Sequence, residues 1–180
     1  MSEAPPAELL IREATADDMV HVARIYAAYV LTGRATFEET PPDVRELQSR
    51  FAAIRAAALP YLLAEAGGEC VAYAYAGTYR PRPGYRYTVE DSVYVAEPWC
   101  GRGVGRALLQ ALIERCERGP WRQMIAVIGD SANAGTIALH RRCGFEPVGT
   151  FRAVGYKLGR WVDTVLMQRA LGDGDRRLPG

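Results

Sequence analysis

Two short stretches of this chain carry residue types suited to chemistry. In residues 88–95, "TVEDSVYV", Glu90 interrupts a β-forming run. In a strand, alternate side chains share a face, so Glu90 lies with Thr88, Ser92 and Tyr94 while Asp91 points the other way. A carboxylate on the wall of a cleft loses solvation, its pKa rises, and it becomes a usable general base near neutral pH. The competing reading is a solvent-facing carboxylate, or one paired with Arg82 or Arg86. Just downstream, "WCGRGVGRALL" (99–109) sets Gly101, Gly103 and Gly105 among Arg102, Val104 and Arg106. Glycines so clustered mark backbone that turns sharply or approaches something closely. A dinucleotide fingerprint fails because Arg106 holds its last glycine position, and a P-loop fails for want of the lysine and Ser/Thr. What remains is a strand, a glycine turn and a helix start. It either simply turns the chain or aims several N–H groups at one anion.

Three further groups deserve chemical roles. His140, in "IALHRRCGF", suits proton transfer near neutral pH, or is a surface histidine favoured by the end of its helix. Asn133, in "SANAGT", can cap that helix or meet a ligand. The loop "TYRPRPGYRY" (78–87) interleaves Arg80, Arg82 and Arg86 with tyrosines. It reads as a solvated loop, as a nucleic-acid contact by stacking and phosphate binding, or as a guanidinium clamp for a carboxylate. The prolines at 81 and 83 stiffen it.

These residues need elements to hold them. Residues 9–13 predict a short strand, and Thr15 to Val30 a helix capped by Thr15 with a Met19, Val22, Ala23, Tyr26 and Val30 stripe. A second helix is expected from about Pro42, with Val44, Leu47, Phe51 and Ile54 on one stripe. Residues 61–79 form two apolar runs around Gly67–Gly68, a hairpin signal. Residues 88–96 predict a strand, and the glycine stretch opens a helix carrying Val104, Leu108, Leu109, Leu112 and Ile113. A buried strand at 123–129, a short helix at 131–143 ended by Gly144, and two closing strands complete an α/β (α+β) pattern with a largely antiparallel sheet. One domain over 9–171 is expected, between flexible tails at 1–8 and 172–180.

Composition narrows the classes. With 180 residues, 49% hydrophobic and a formal net charge of +1, the chain suits one globular domain and has no general attraction for nucleic acid or membrane. No secretory signal and no run of apolar residues long enough to span a bilayer is seen. Four cysteines without C-x-x-C spacing read as free thiols in the cytoplasm, and two histidines argue against a metal centre.

"SVYVAEPWCG" followed by "RGVGRALL", with "NAGTIALHRRCGF" some thirty residues later, resembles the GNAT superfamily of N-acetyltransferases. Its Q/R-x-x-G-x-G/A signature maps from Cys100, which replaces the Gln or Arg, through Gly103 and Gly105. The resemblance implies a GNAT fold and backbone amides of Gly101, Arg102, Gly103, Val104, Gly105 and Arg106 on the acetyl-CoA pyrophosphate. It sets Val93, Tyr94 and Val95 beside the pantetheine arm, with a strand amide available to the thioester carbonyl. It places the general base at Glu90 and a thiolate-protonating role at His140, where relatives often carry tyrosine. Asn133 falls near the coenzyme arm.

"IREATADDMVHVARIYAAYV", "ATFEETP", "YRPRPGYRYTVEDSVYV", "AVIGD" and "FRAVGYKLGRWVD" further resemble the phosphinothricin and methionine-sulfoximine acetyltransferase branch, from Ile11 to Leu171. That likeness implies direct transfer to the α-amino group of a small amino-acid analogue, and a homodimer. Phe37, Arg80, Arg82, Tyr85 and Ser92 would form the acceptor site. Arg86 and Tyr87 replace an aspartate and a tryptophan of the herbicide-detoxifying members. The rival expectations are a protein N-terminus, lysine or polyamine as acceptor, or a non-catalytic acyl-CoA sensor.

Overall fold

A computed structural model describes residues 8–179, so the expected N-terminal tail lies, but for Glu8, outside the described residues. The chain runs β1 (Leu9–Glu13), α1 (Met19–Thr32), α2 (Val44–Ala56), β2 (Tyr61–Ala66) and β3 (Glu69–Thr78). It continues with β4 (Thr88–Val95), α3 (Val104–Glu117), β5 (Gln123–Gly129), α4 (Ala134–Arg142), β6 (Glu146–Lys157) and β7 (Arg160–Ala170). The seven strands make one sheet in the order β1-β2-β3-β4-β5-β7-β6, and every neighbouring pair is antiparallel except β4–β5. Past β7 the backbone turns again, Gly174 N–H donating to Leu171 O at 2.9 Å, and Gly174 is buried.

Local chemistry explains most element boundaries. The β2–β3 hairpin turns on Gly67 (φ 59°) and Gly68 (φ 81°), the left-handed pair that suits the strand twist. The expected first helix starts later than predicted. Thr15 instead caps a 3-10 turn over Ala16–Asp18, and the α-helix begins at Met19. Asp18 holds that turn tight by accepting from Thr15 N–H at 2.7 Å and from two Arg12 nitrogens at 2.8 Å each. The short helix of residues 131–143 is likewise trimmed to Ala134–Arg142, because Asp130 sits at φ 69° and Asn133 caps the helix by accepting from Thr136 N–H.

Two apolar layers cover the two faces of the sheet. On one face the α3 stripe Leu108, Leu109, Leu112 and Ile113 packs against Leu62, Ala74, Val89, Met124 and Met167. On the other, Met19, Val22, Ile25 and Val30 of α1 meet Tyr61, Leu63 and Tyr73. Alternation along β4 follows these layers: Val89 and Asp91 are buried, while Thr88, Glu90 and Ser92 on the opposite face are only partly so.

One departure from regular pairing shapes the molecule. β4 and β5 pair only from Thr88–Gln123 to Asp91–Ala126. Beyond that point β4 stays with β3 as far as Val95–Ala72, and β5 stays with β7 as far as Gly129–Thr164. The two parallel strands therefore part and leave a wedge in the middle of the sheet. Backbone groups lining such a wedge lack ladder partners on that side and are available to a ligand.

Candidate active site

The wedge opens into a cavity of about 750 Å3, within the range of small-molecule sites. Ser92, Val93, Tyr94 and Val95 form its β4 wall and Ala126 to Gly129 its β5 wall. Gly101, Gly103, Gly105 and Arg106 close one end, with Asn133, Thr136, Leu139 and His140 of the α4 segment alongside. Ten of the predicted residues thus border one space.

The glycine turn is built as an anion cradle would be. Gly101 (φ 76°) and Gly103 (φ 84°) both adopt left-handed backbone, and Gly103 is the N-cap of α3 without any side-chain cap. The first intrahelical bond is Ala107 N–H to Gly103 O at 3.0 Å, so the N–H groups of Val104, Gly105 and Arg106 have no helical acceptor. They point out of a helix N-terminus, where the dipole favours negative charge. A side chain at Gly105 would touch Leu139 and Val95 at 3.4 Å, so its absence lets α3 approach both α4 and β4. Val104 is buried and contributes only its backbone. Arg102 turns away to lie over Trp99, 5.4 Å from the ring centroid, while Arg106 borders the cavity.

The β4 wall divides its duties between side chain and backbone. Tyr94 packs its ring against Tyr26, Tyr29 and Tyr73, each at 5.1 Å, which leaves its backbone at the cavity. Tyr29 OH donates to Val95 O at 2.6 Å and accepts from Val95 N–H at 3.3 Å, satisfying the strand's last residue after it leaves β5. Nothing in the spacing of the first helix marks Tyr29 for this; only the fold brings it to Val95.

Glu90 lies one residue before the wedge opens, on the face opposite Asp91. Burial, with the negative charge of Asp91 adding to it and Arg80 opposing, pushes its carboxyl up to about 7. At that value it can accept a proton near neutral pH. Arg80, near enough to act on Glu90, stacks over Tyr79 and Tyr85. Residues 80–86 of this loop are exposed, and among the described residues Arg82 engages only through its carbonyl, which accepts from Tyr85 N–H.

Phe37, in the segment between α1 and α2, is not part of the cavity lining, though Ala35 of the same segment is. The Phe37 ring lies where a Cβ on Gly155 would be, 2.4 Å away, so the absence of a side chain on β6 makes its seat. Lys157, only 2% exposed, donates to Thr36 O at 2.8 Å and holds the same segment. Burial lowers its pKa, with Glu39 and Glu38 opposing. Gly129 faces Arg34 O, and Arg34 pairs with Asp130. Strand ends β5 and β6 thus seat the segment carrying Phe37, a link no local pattern predicts.

His140 is 3% exposed, its ring fixed at both nitrogens: Nδ1 lies 2.8 Å from Thr136 O and Nε2 2.9 Å from Asp91 Oδ2. Any proton donation to a ligand must first exchange one of these bonds. Cys100 is exposed beside the glycine turn, and all four cysteines are free. Among the described residues no group of His, Cys, Asp and Glu could hold a metal, and no helix is long and apolar enough to cross a membrane.

Comparison with known proteins agrees with this geometry. Residues 11–166 match the acetyltransferase (GNAT) domain family. Phosphinothricin N-acetyltransferase of Alcaligenes faecalis is 54% identical over 169 residues, covering 94% of this chain and 86% of that protein. L-methionine sulfoximine/L-methionine sulfone acetyltransferase of Pseudomonas paraeruginosa is 44% identical over 170 residues, covering 94% and 98%. The crystal structure of a phosphinothricin acetyltransferase from Sinorhizobium meliloti in complex with AcCoA superposes with a TM-score of 0.93 at 45% identity, covering 96% of this chain and 93% of that one. With its split β4–β5 pair, its uncapped glycine turn and a family match spanning most of its length, the chain belongs to the GNAT acetyltransferases.

Proposed function

We propose that this enzyme transfers an acetyl group from acetyl-CoA to the α-amino group of a small amino-acid analogue of the methionine sulfoximine, methionine sulfone or phosphinothricin type. The observation that carries the proposal is the wedge leading from the uncapped start of α3, along the edge of β4 that β5 leaves, to Asp91 and Ser92, the chain neighbours of Glu90, which is itself outside the cavity lining. The names of the similar enzymes support the acceptor class.

Residues 101–106 would hold the diphosphate through main-chain N–H groups, with Arg106 adding charge. Val93, Tyr94 and Val95 would receive the pantetheine arm along the edge that β5 leaves, where Tyr29 OH already holds the Val95 backbone, and Asn133 would border it. The acetyl thioester supplies an electrophilic acyl carbon and a thiolate leaving group. Glu90 takes a proton from the acceptor ammonium, directly or through water, which frees the nitrogen lone pair. An N–H of β4 stabilises negative charge developing on the acyl oxygen. Arg80 and Arg82 would clamp the acceptor carboxylate, with Phe37, Tyr85 and Ser92 as walls.

We place the enzyme in the cytoplasm, a reading that four free thiols support, and infer a homodimer from the exposed apolar side chains on β6 and β7.

The test is thiol release from acetyl-CoA across methionine sulfoximine, methionine sulfone, phosphinothricin, polyamines and peptides. Release is expected with the first three. Release only with peptides or polyamines would reassign the acceptor, and tight acetyl-CoA binding with no turnover on any amine would make the protein a sensor.

A further inference from the structure

We infer that Asp91 is a positioning residue that keeps the His140 ring doubly protonated and pins α4 to the last paired residue of β4. Thr136 O is a carbonyl and can only accept, so Nδ1 must carry a proton to make its 2.8 Å contact. Opposite it, the 2.9 Å contact between Nε2 and Asp91 Oδ2 joins a ring nitrogen to a carboxylate oxygen. Without a proton between them, two lone pairs would face each other. The assembly therefore holds one proton on each ring nitrogen's hydrogen bond, which for an ionised Asp91 is an imidazolium–carboxylate pair.

Burial makes the pairing consequential. The His140 and Asp91 side chains are 4% and 1% exposed, and Asp91 Oδ1 has no partner among the described residues. His140 is thus the compensation available to a buried carboxylate, and a charge left alone there would be strongly unfavourable. Desolvation opposes protonation of the ring, but the hydrogen bond and charge of Asp91 outweigh it and move the His140 pKa up. The surrounding groups leave this balance intact. Cys116 of α3 and Cys143 after α4 are thiols pushed up by burial, Asp91 adding to each. Arg106 acts on Cys143 from α3, Phe145 lies edge-on to the ring, and Glu90 stands on the other face of β4.

The location gives the pair a task. Asp91–Ala126 is the last paired position before β4 and β5 separate, so the bond sits at the apex of the wedge. His140 is in the last turn of α4, whose first turn borders the same cavity through Asn133 and Gly135. Fixing its far end to the apex sets the distance between α4 and β4, and with it the width of the space offered to the pantetheine arm. Asp91 also feeds negative charge toward Glu90 from behind. The ring itself, engaged at both nitrogens, is a fixed charge rather than a free proton donor.

The task at the wedge rests on the acetyl-CoA reading, whereas the ring's protonation does not. In 15N-labelled protein at pH 7.5, long-range 1H–15N spectra of the side chains should give imidazolium shifts for both His140 nitrogens. In Asp91→Asn they should give a neutral ring protonated at Nδ1, since the amide can donate to Nε2 and keep the shape. That variant should raise the KM for acetyl-CoA about fivefold, a neutral hydrogen bond replacing a charged one. It should also move the acid limb of the kcat profile to lower pH, because the negative charge lost is on the residue next to Glu90 and raises its pKa, while the imidazolium charge lost with it lies beyond Asp91 on the other face of β4. A wild-type His140 that is neutral at pH 7.5, or a ring still doubly protonated in Asp91→Asn, overturns the assignment. A neutral ring with an unchanged KM overturns the pinning role. No turnover in the wild type would refute the acetyltransferase reading of this site, and the ring measurement would then decide the pair by itself.

Discussion

A carboxylate held near pKa 7 is useful to a reaction and unfavourable to a fold. Glu90 is raised from 4.5 to about 7, chiefly by burial. As pH rises through that window the unfolded chain gives up the proton first, so the native state is progressively disfavoured, by at most about 3 kcal/mol once pH exceeds 7. Glu90→Gln should therefore raise the melting temperature at pH 8, with the difference vanishing toward pH 4, in thermal denaturation at both values. The same variant should reduce kcat about 100-fold or more while leaving acetyl-CoA affinity nearly unchanged. Equal turnover at neutral pH would remove Glu90 from the reaction. In the wild type, kcat should fall as pH drops below about 7, since the base is then protonated.

At the scale of elements, the acceptor side proposed above draws on a segment that belongs to neither strand flanking the wedge. The chain between α1 and α2 reaches over the ends of β5 and β6 and is held there by Lys157 on Thr36 O, by Arg34 on Asp130, and by the Phe37 ring on Gly155. Gly155→Ala places a methyl group 2.4 Å from that ring and must displace it. Because small misplacements of positioning groups carry large kinetic penalties, the acceptor KM should rise on the order of tenfold. The acetyl-CoA KM should stay put, since the glycine turn is built by other elements. Initial-rate measurements with each substrate varied in turn distinguish this from general destabilisation, which would lower the amount of active enzyme and leave both KM values alone.

At the scale of the whole molecule, one side of the sheet is unfinished. β6 is an edge strand exposed along nearly all of its twelve residues. Val148, Phe151, Val154, Tyr156 and, on β7, Trp161 at 66% are large apolar side chains open to solvent. Edge strands are usually shortened, charged or covered, so a long apolar one calls for a partner, and a second copy of the chain with twofold symmetry is the economical one. Sedimentation should give a dimer for the wild type at micromolar concentration and a monomer for the double variant Phe151→Glu, Trp161→Glu. A wild-type monomer would end this reading.

Much of this was legible in the sequence because it depends on local periodicity and local chemistry. The α3 stripe, the β2–β3 glycine turn and the alternation that sets Glu90 opposite Asp91 each depend on neighbours in the chain, and each element stands where its residues require. The uncapped glycine turn could be read as an anion cradle because glycine conformation and helix polarity are properties of a few consecutive residues. Where distant segments meet, no such rule applies. The tertiary structure alone decided that Tyr29 finishes β4, that Lys157 and Gly155 seat Phe37, and that Asp91 and His140, 49 residues apart, meet in a buried hydrogen bond. Those contacts arise from the order of strands in the sheet and the point where two of them part, and sheet order is set by the packing of the whole chain.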